Sequence, residues 1–104
     1  MRFLTLKIML CLLLSLIISR IEANTNNYSI SGRISDERTG SPLPGASILI
    51  KGTYLWAVSD QKGEFTIQGI QEGKYQLEVS FLGYVPATVP VNVNNSIKGL
   101  KIQL

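Results

Sequence analysis

The chain contains 104 residues and carries a formal net charge of +3, with one cysteine and no histidine. This length suits one small domain. Without histidine the chain lacks the usual base of hydrolytic triads, and one cysteine supplies neither a zinc site nor an intrachain disulfide. We therefore expect no enzyme activity, no cofactor and no metal site.

The N-terminal residues have the order of an export signal. Arg2 and Lys7 come first, and an uninterrupted apolar run follows at residues 8–18. This order is typical of a secretory signal peptide, and the run is shorter than the about 20 residues that span a bilayer. We predict that residues 1–23 are a signal peptide and that residues 24–27 form a flexible leader.

The cleavage point of this signal is expected between Ala23 and Asn24, because a signal peptidase requires a small residue before the cut. Cys11 raises the alternative of a lipid attachment site. It follows Leu10 rather than a small residue and lies inside the apolar run. We interpret Cys11 as a hydrophobic residue of the signal.

Removal of the signal changes the charge balance. Residues 1–23 hold three of the 10 basic side chains and one of the 7 acidic side chains, so residues 24–104 keep 7 basic and 6 acidic groups, a net charge of +1. Nucleic-acid binding requires a basic patch or stripe. We therefore expect no nucleic-acid partner.

From residue 28 onward the sequence predicts seven short β-strands and no helix. Apolar and polar side chains alternate over 28–35 and, most regularly, over 74–81, which is the pattern of half-buried strands. The predicted strands cover residues 28–35, 46–51, 54–59, 64–67, 74–81 and 85–93, and a last strand runs from the turn at 94–96 to the final residue. Strands at this spacing predict a seven-stranded antiparallel β-sandwich of two sheets over residues 28–104.

Proline and glycine place the breaks between these strands. Pro86 and Pro90 cannot donate a backbone hydrogen bond, so strand 85–93 is predicted to lie at a sheet edge or to be bulged. The glycines at 69 and 73 predict that the fourth strand ends before residue 69.

A tight turn is predicted at Asp60–Gly63. The aspartate side chain can accept hydrogen bonds from the amides that follow it, and the glycine permits a positive φ. This spacing predicts a hairpin between the third and fourth strands. Asp60 and Glu64 supply too few carboxylates for a calcium loop, and the charges at 36–38 are interpreted as solvated loop residues.

The third predicted strand contains the candidate binding residues Tyr54 and Trp56. They share a strand face with Val58, and Leu55 and Ala57 share the other face. An exposed Trp56 would stack on a sugar ring or on a partner protein. An inward Trp56 would fill the space between the sheets, and core or partly covered packing is the expectation that we favour.

Several segments together resemble the carboxypeptidase-regulatory-like domain family. They cover nearly all of the predicted mature chain, and their combined order is more specific than any one of them. The matching segments are Ile30–Ile34, Gly40–Ala46, Lys51–Thr53, Ser59–Phe65 and Gly73–Tyr84. This resemblance implies a transthyretin-like (prealbumin-like), Ig-like β-sandwich.

Two features, the PLPGA segment at 42–46 and Gly83–Tyr84, most resemble the N-terminal domain of SusC/RagA-type TonB-dependent receptors of Bacteroidetes. The resemblance implies a non-catalytic domain in the periplasm or at the outer membrane that serves protein docking or signalling in glycan or peptide uptake. Strand 85–93 and the terminal strand are the expected contact surfaces.

Two departures from this receptor pattern leave alternatives open. The sequence ends where a receptor would continue into a plug and barrel, so we expect a truncated gene, a fragment or a free-standing copy rather than a transporter. Residues 54–58 are larger than is usual in the family. The alternatives are a free-standing secreted module that binds carbohydrate or protein, and an accessory domain of a peptidase.

Overall fold

A computed structural model describes residues 2–18 and 27–104 of the chain. Helix α1 spans Arg2–Ile18, and the side chains of residues 3–12 are all exposed. Among the described residues, none of the helices has both the length and the apolarity needed to cross a bilayer. The predicted cleavage point and most of the predicted leader lie outside the described residues.

The rest of the described chain forms a β-sandwich, which confirms the predicted fold class. Its strands are β1 (Tyr28–Ser35), β2 (Ser47–Ile50), β3 (Trp56–Val58), β4 (Glu64–Ile70), β5 (Gly73–Ser80), β6 (Ala87–Val93) and β7 (Ile97–Gln103). One sheet has the strand order β4-β1-β7, and the other has the order β3-β2-β5-β6.

The hydrophobic core lies between the two sheets and follows the predicted alternation. Inward-facing positions of β1, β2, β4 and β5 are buried, whereas the residues between them are mostly exposed or half-buried. The buried hydrophobic residues are Ile30, Ile34, Leu43, Ala46, Ile48, Ile50, Phe65, Ile67, Ile70, Leu77, Val79, Val93 and Ile102. Burial of this apolar surface is the main stabilising contribution to the fold.

One strand pair differs from the predicted antiparallel arrangement: β1 and β7 are parallel. Alternating polarity is the same in parallel and antiparallel strands, so the sequence pattern carries no information on direction. The pairing requires close approach of the two backbones, because a Cβ at Gly32 would overlap the carbonyl oxygen of Leu100.

The predicted hairpin between the third and fourth strands is wrong, because β3 and β4 belong to different sheets. The turn itself is formed as predicted. The Asp60 carboxylate accepts hydrogen bonds from the amides of Lys62 and Glu64, both at 2.9 Å, and Gly63 has a φ of 75°. The turn therefore connects the two sheets at a corner of the sandwich.

The fourth strand also continues past its predicted end. It includes Gly69, which has a φ of 77°, and it reaches Ile70. Tyr28 pairs with Ile70 and Ile30 pairs with Ile67, so β4 has one extra residue over this interval. A glycine at positive φ in such a position forms a β-bulge and does not end the strand.

The proline-bearing strand β6 lies at the edge of the four-stranded sheet, as predicted. This strand begins later than its predicted start at residue 85, because β6 starts at Ala87 and Val85 is exposed.

Candidate interaction surface

No group of three or more histidine, cysteine, aspartate or glutamate residues within the described residues is placed to hold a metal ion. Ser59 is the buried polar side chain of the described part of the chain. The side chains of Ser59 and Asp36 form hydrogen bonds that hold loops of the sandwich in place.

Ser59 holds the PLPGA segment in place. Its hydroxyl group donates a hydrogen bond to the carbonyl oxygen of Leu43 at 2.6 Å and accepts one from the amide of Ala46 at 2.8 Å. The backbone of Ser59 forms two further hydrogen bonds, with Gly45 and Ala46. The sequence pattern did not predict this role. The position of Ser59, a small polar residue at the end of an apolar predicted strand, could have indicated it.

Asp36 organises the loop between β1 and β2. One carboxylate oxygen accepts hydrogen bonds from the amides of Arg38 and Thr39, at 2.7 and 3.1 Å. The other accepts a hydrogen bond from the Tyr84 hydroxyl group at 2.6 Å. Asp36 remains partly exposed to solvent, but its contact with Tyr84 joins two loops that are 48 residues apart in sequence, a role that the sequence pattern did not predict.

These contacts shift both pKa values. The Tyr84 hydroxyl group and the two loop amides stabilise the carboxylate, so the pKa of Asp36 lies below its ordinary value. The hydrogen bond to Asp36, together with partial burial, stabilises the protonated phenol, so the pKa of Tyr84 is raised. At neutral pH the pair therefore consists of an ionised Asp36 and a neutral Tyr84.

Acid is expected to remove the contribution of Asp36 to stability. Because its folded pKa is lowered, that contribution is complete above the ordinary value of 3.8 and is lost as the pH falls through the folded value. Urea denaturation of Asp36→Asn at a series of acidic pH values should show a weaker pH dependence than the wild type. The neighbouring substitution Glu37→Gln is the control, and an equal change in both variants would contradict the assignment.

Tyr54 and Trp56 both lie on the solvent side of the domain. The exposed fraction is 99% for Tyr54, 63% for Trp56 and 49% for Val58, whereas Leu55 and Ala57 are half-buried against the core. Of the two forms of packing expected for Trp56, a core position between the sheets is wrong, and the ring is at most partly covered. Both faces of this strand are apolar, so alternation alone could not show which face meets the core. The side chain of Ser59 is buried, and the other odd-numbered residues of the strand point inward with it.

Trp56 begins a row of side chains across the outer face of the four-stranded sheet. It pairs with Leu49 on β2, Leu49 pairs with Glu78 on β5, and Glu78 pairs with Thr88 on β6. Val58 pairs with Ser47 beside this row. The outer face is thus apolar near β3 and polar towards β6.

The outward position of Trp56 predicts a small effect on stability. Trp56→Ala should lower the free energy of unfolding by about 1 kcal/mol or less, as is usual for exposed positions. Phe65→Ala removes a buried ring of the core and should cost about 3–5 kcal/mol. Urea denaturation followed by circular dichroism measures both, and comparable losses would show that the Trp56 ring is packed.

The sequence is similar to known proteins over most of its length. It is 33% identical over 85 residues to the TonB-dependent receptor SusC of Bacteroides thetaiotaomicron, which corresponds to 82% of this chain and 8% of the receptor. It is 30% identical over 92 residues to the TonB-dependent receptor P3 of Formosa agariphila, which corresponds to 88% of this chain and 9% of that receptor. The chain thus spans less than a tenth of the length of either relative.

Two solved structures have a similar fold. They are chains in an N-terminal and a C-terminal interface mutant of the type II cohesin–X–dockerin complex of Acetivibrio cellulolyticus, with TM-scores of 0.62 and 0.59 and identities of 27% and 26%. Each match covers 72% of this chain and 52% of the other chain. A family model of the CarboxypepD_reg-like domain matches residues 30–104. The chain therefore belongs to the CarboxypepD_reg-like domain family.

Proposed function

We propose that the chain is exported and that its sandwich acts in the periplasm as a non-catalytic docking or signalling module of a TonB-dependent system for glycan or peptide uptake. The observation that carries this proposal is the similarity to two TonB-dependent receptors over 82% and 88% of the chain. Because the chain spans so little of those receptors, transport itself is attributed to the complete uptake system.

The polar side chains that hold the loops in place support a role without catalysis. Asp36 and Tyr84 are committed to loop structure, since each carboxylate oxygen of Asp36 already accepts a hydrogen bond from the protein. Ser59 is buried, and its hydroxyl group is engaged by Leu43 and Ala46. Binding at the surface is therefore the activity that these residues favour.

The proposal is tested by an in-frame deletion of residues 28–104 in the native gene. We expect slower growth on the polymeric glycan or peptide that the associated system imports and normal growth on the corresponding monomer. Cell fractionation should find the intact protein in the periplasm or with the outer membrane. Equal growth on both nutrients, or a protein confined to the cytoplasm, would contradict the proposal.

Carbohydrate binding is a second candidate function, which the exposure of Tyr54 and Trp56 favours. Aromatic rings on an exposed sheet face provide flat apolar surfaces. The chain has a single tryptophan, so its fluorescence reports on this face alone. A saturable change on titration with soluble oligosaccharides would support this function, and an unchanged spectrum for all of them would count against it.

A further inference from the structure

The backbone groups of β3 point in alternating directions. In an antiparallel pair, the N–H and C=O groups of one residue face the partner strand and those of the next residue face away. The carbonyl oxygen of Leu55 accepts a hydrogen bond from Ile50, and the amide of Ser59 donates to Ala46. The backbone N–H and C=O groups of the odd-numbered residues in this segment therefore point to β2. Those of Trp56 and Val58 point to the opposite side.

On that opposite side β3 has no neighbouring strand, because it is the first strand in the order β3-β2-β5-β6. The backbone N–H and C=O groups of Trp56 and Val58 are therefore open to a further strand. Their side chains are also exposed, next to the half-buried Leu49. This open edge combines unpaired backbone groups with large apolar side chains.

The opposite edge of the same sheet is closed by a proline. The amide of Lys51 donates a hydrogen bond to the carbonyl oxygen of Gln76. The backbone groups of even-numbered residues in β5 therefore point to β2, and those of odd-numbered residues point to β6. Leu77 pairs with Val89, which places the backbone of Pro90 on the free side of β6. Pro90 has no N–H group, so it interrupts the donor row that an added strand would need.

The edges of the other sheet differ in polarity from β3. The exposed side chains along β4 include Thr66 and Gln68, and those along β7 include Lys101 and Gln103. Polar and charged edge residues are a common protection against unwanted strand pairing. Among the four edges of the described sandwich, β3 is the one that carries exposed large hydrophobic residues within the strand.

We propose that the open edge of β3 binds an extended segment of a partner protein by strand addition. The proposal rests on the docking function proposed above and names its surface and the class of ligand. Trp56 and Val58 present donor and acceptor pairs two residues apart, about 7 Å, which is the repeat of an extended peptide. Trp56, Val58 and Leu49 offer contacts to alternate apolar side chains of that peptide.

A partner segment fits this edge better than a second copy of the chain. β3 has three residues, so two such edges in contact share few backbone hydrogen bonds. Those few bonds would have to hold two folded domains together. A short extended peptide needs only the outward backbone groups of Trp56 and Val58, and it can place apolar side chains against these residues and the half-buried Leu49.

The test uses the full chain and a short capped peptide that alternates valine and threonine. Amide chemical shifts and hydrogen exchange should locate binding at Trp56 and Val58. Val58→Pro removes an outward N–H group and leaves the hydrogen bonds to β2 intact, so it should weaken peptide binding at least tenfold. Thr88→Pro is the matched control, because Thr88 lies on the free side of β6, and it should leave peptide affinity unchanged.

A second variant covers a failure of Val58→Pro to fold. Trp56→Lys keeps the backbone groups and adds a charge to the edge, and it should also weaken binding at least tenfold. A peptide with N-methylated alternate residues should not bind. Equal affinity of the wild type and both β3 variants for the peptide would overturn the proposal. Displacement of the peptide by soluble oligosaccharides would also overturn it, as would a dimer of the wild type that Val58→Pro dissociates.

Growth of the native host separates this proposal from the proposed function. Suppose that deletion of residues 28–104 slows growth, whereas Val58→Pro folds and leaves growth unchanged. Docking then occurs elsewhere, and the edge proposal is wrong. If the peptide binds the β3 edge and the deletion leaves growth unchanged, the edge proposal stands and the uptake function fails.

Discussion

Replacement of Gly63 by valine is expected to lower the free energy of unfolding by about 3–5 kcal/mol. Gly63 has a φ of 75°, which a β-branched residue adopts only with strain. A Cβ at this position would also overlap the carbonyl oxygen of Ile34 and lie 3.1 Å from the Cβ of Pro42. A domain of this size is stable by about 4–12 kcal/mol, so the substitution should remove about a quarter or more of the total stability.

Gly52→Val is the matched control for this substitution. Gly52 has a φ of 81°, and a Cβ there would have no atom within 4 Å. It should show the conformational strain alone, about 1–2 kcal/mol. Urea denaturation followed by circular dichroism measures both variants, and equal losses would show that the contact with Ile34 is unimportant.

Ser59→Ala has the second large expected effect. It removes the hydrogen-bond partner of the Leu43 carbonyl group and of the Ala46 amide, in surroundings where both residues are buried. Each unpaired buried group costs about 1–3 kcal/mol, so for the two groups we expect a loss of about 2–6 kcal/mol. Differential scanning calorimetry should show a clearly lower melting temperature.

The control for Ser59→Ala is Ser47→Ala, which truncates an exposed serine of β2. Exposed substitutions of this kind change stability by about 0.5 kcal/mol or less. Increased hydrogen exchange of the PLPGA amides in Ser59→Ala alone would support the proposed role of Ser59. An unchanged melting temperature in Ser59→Ala would mean that water or another group replaces the hydroxyl group.

The predicted strands were most accurate where apolar and polar residues alternate without interruption. β1 matches its predicted range, and β5 differs from its prediction by one residue at each end. Alternation succeeds there because one face of each strand meets the core and the other meets water. Turn chemistry was equally informative at Asp60 and Gly63, where the required hydrogen bonds and the positive φ are formed within a few residues.

The candidate surface was less predictable. Tyr54 and Trp56 could be selected as candidates from their chemistry, but the exposure of Trp56 depends on which face of β3 meets the core, and Tyr54 lies before that strand. That choice follows from Ser59, whose partners Leu43 and Ala46 lie 16 and 13 residues away in sequence. The contact of Asp36 with Tyr84 was missed for the same reason, since no local pattern encodes a hydrogen bond between distant loops.

The all-β class, the family and the core-facing residues of the alternating strands could be predicted from the amino-acid sequence, because they depend on local periodicity and on turn residues. Three features required the three-dimensional structure: the sheet that each strand joins, the parallel pairing of β1 with β7, and the outward position of Trp56. These features depend on contacts between residues far apart in the chain. The open edge of β3 and the edge closed by Pro90 exist only once the strand order is known, because an edge is a property of the sheet.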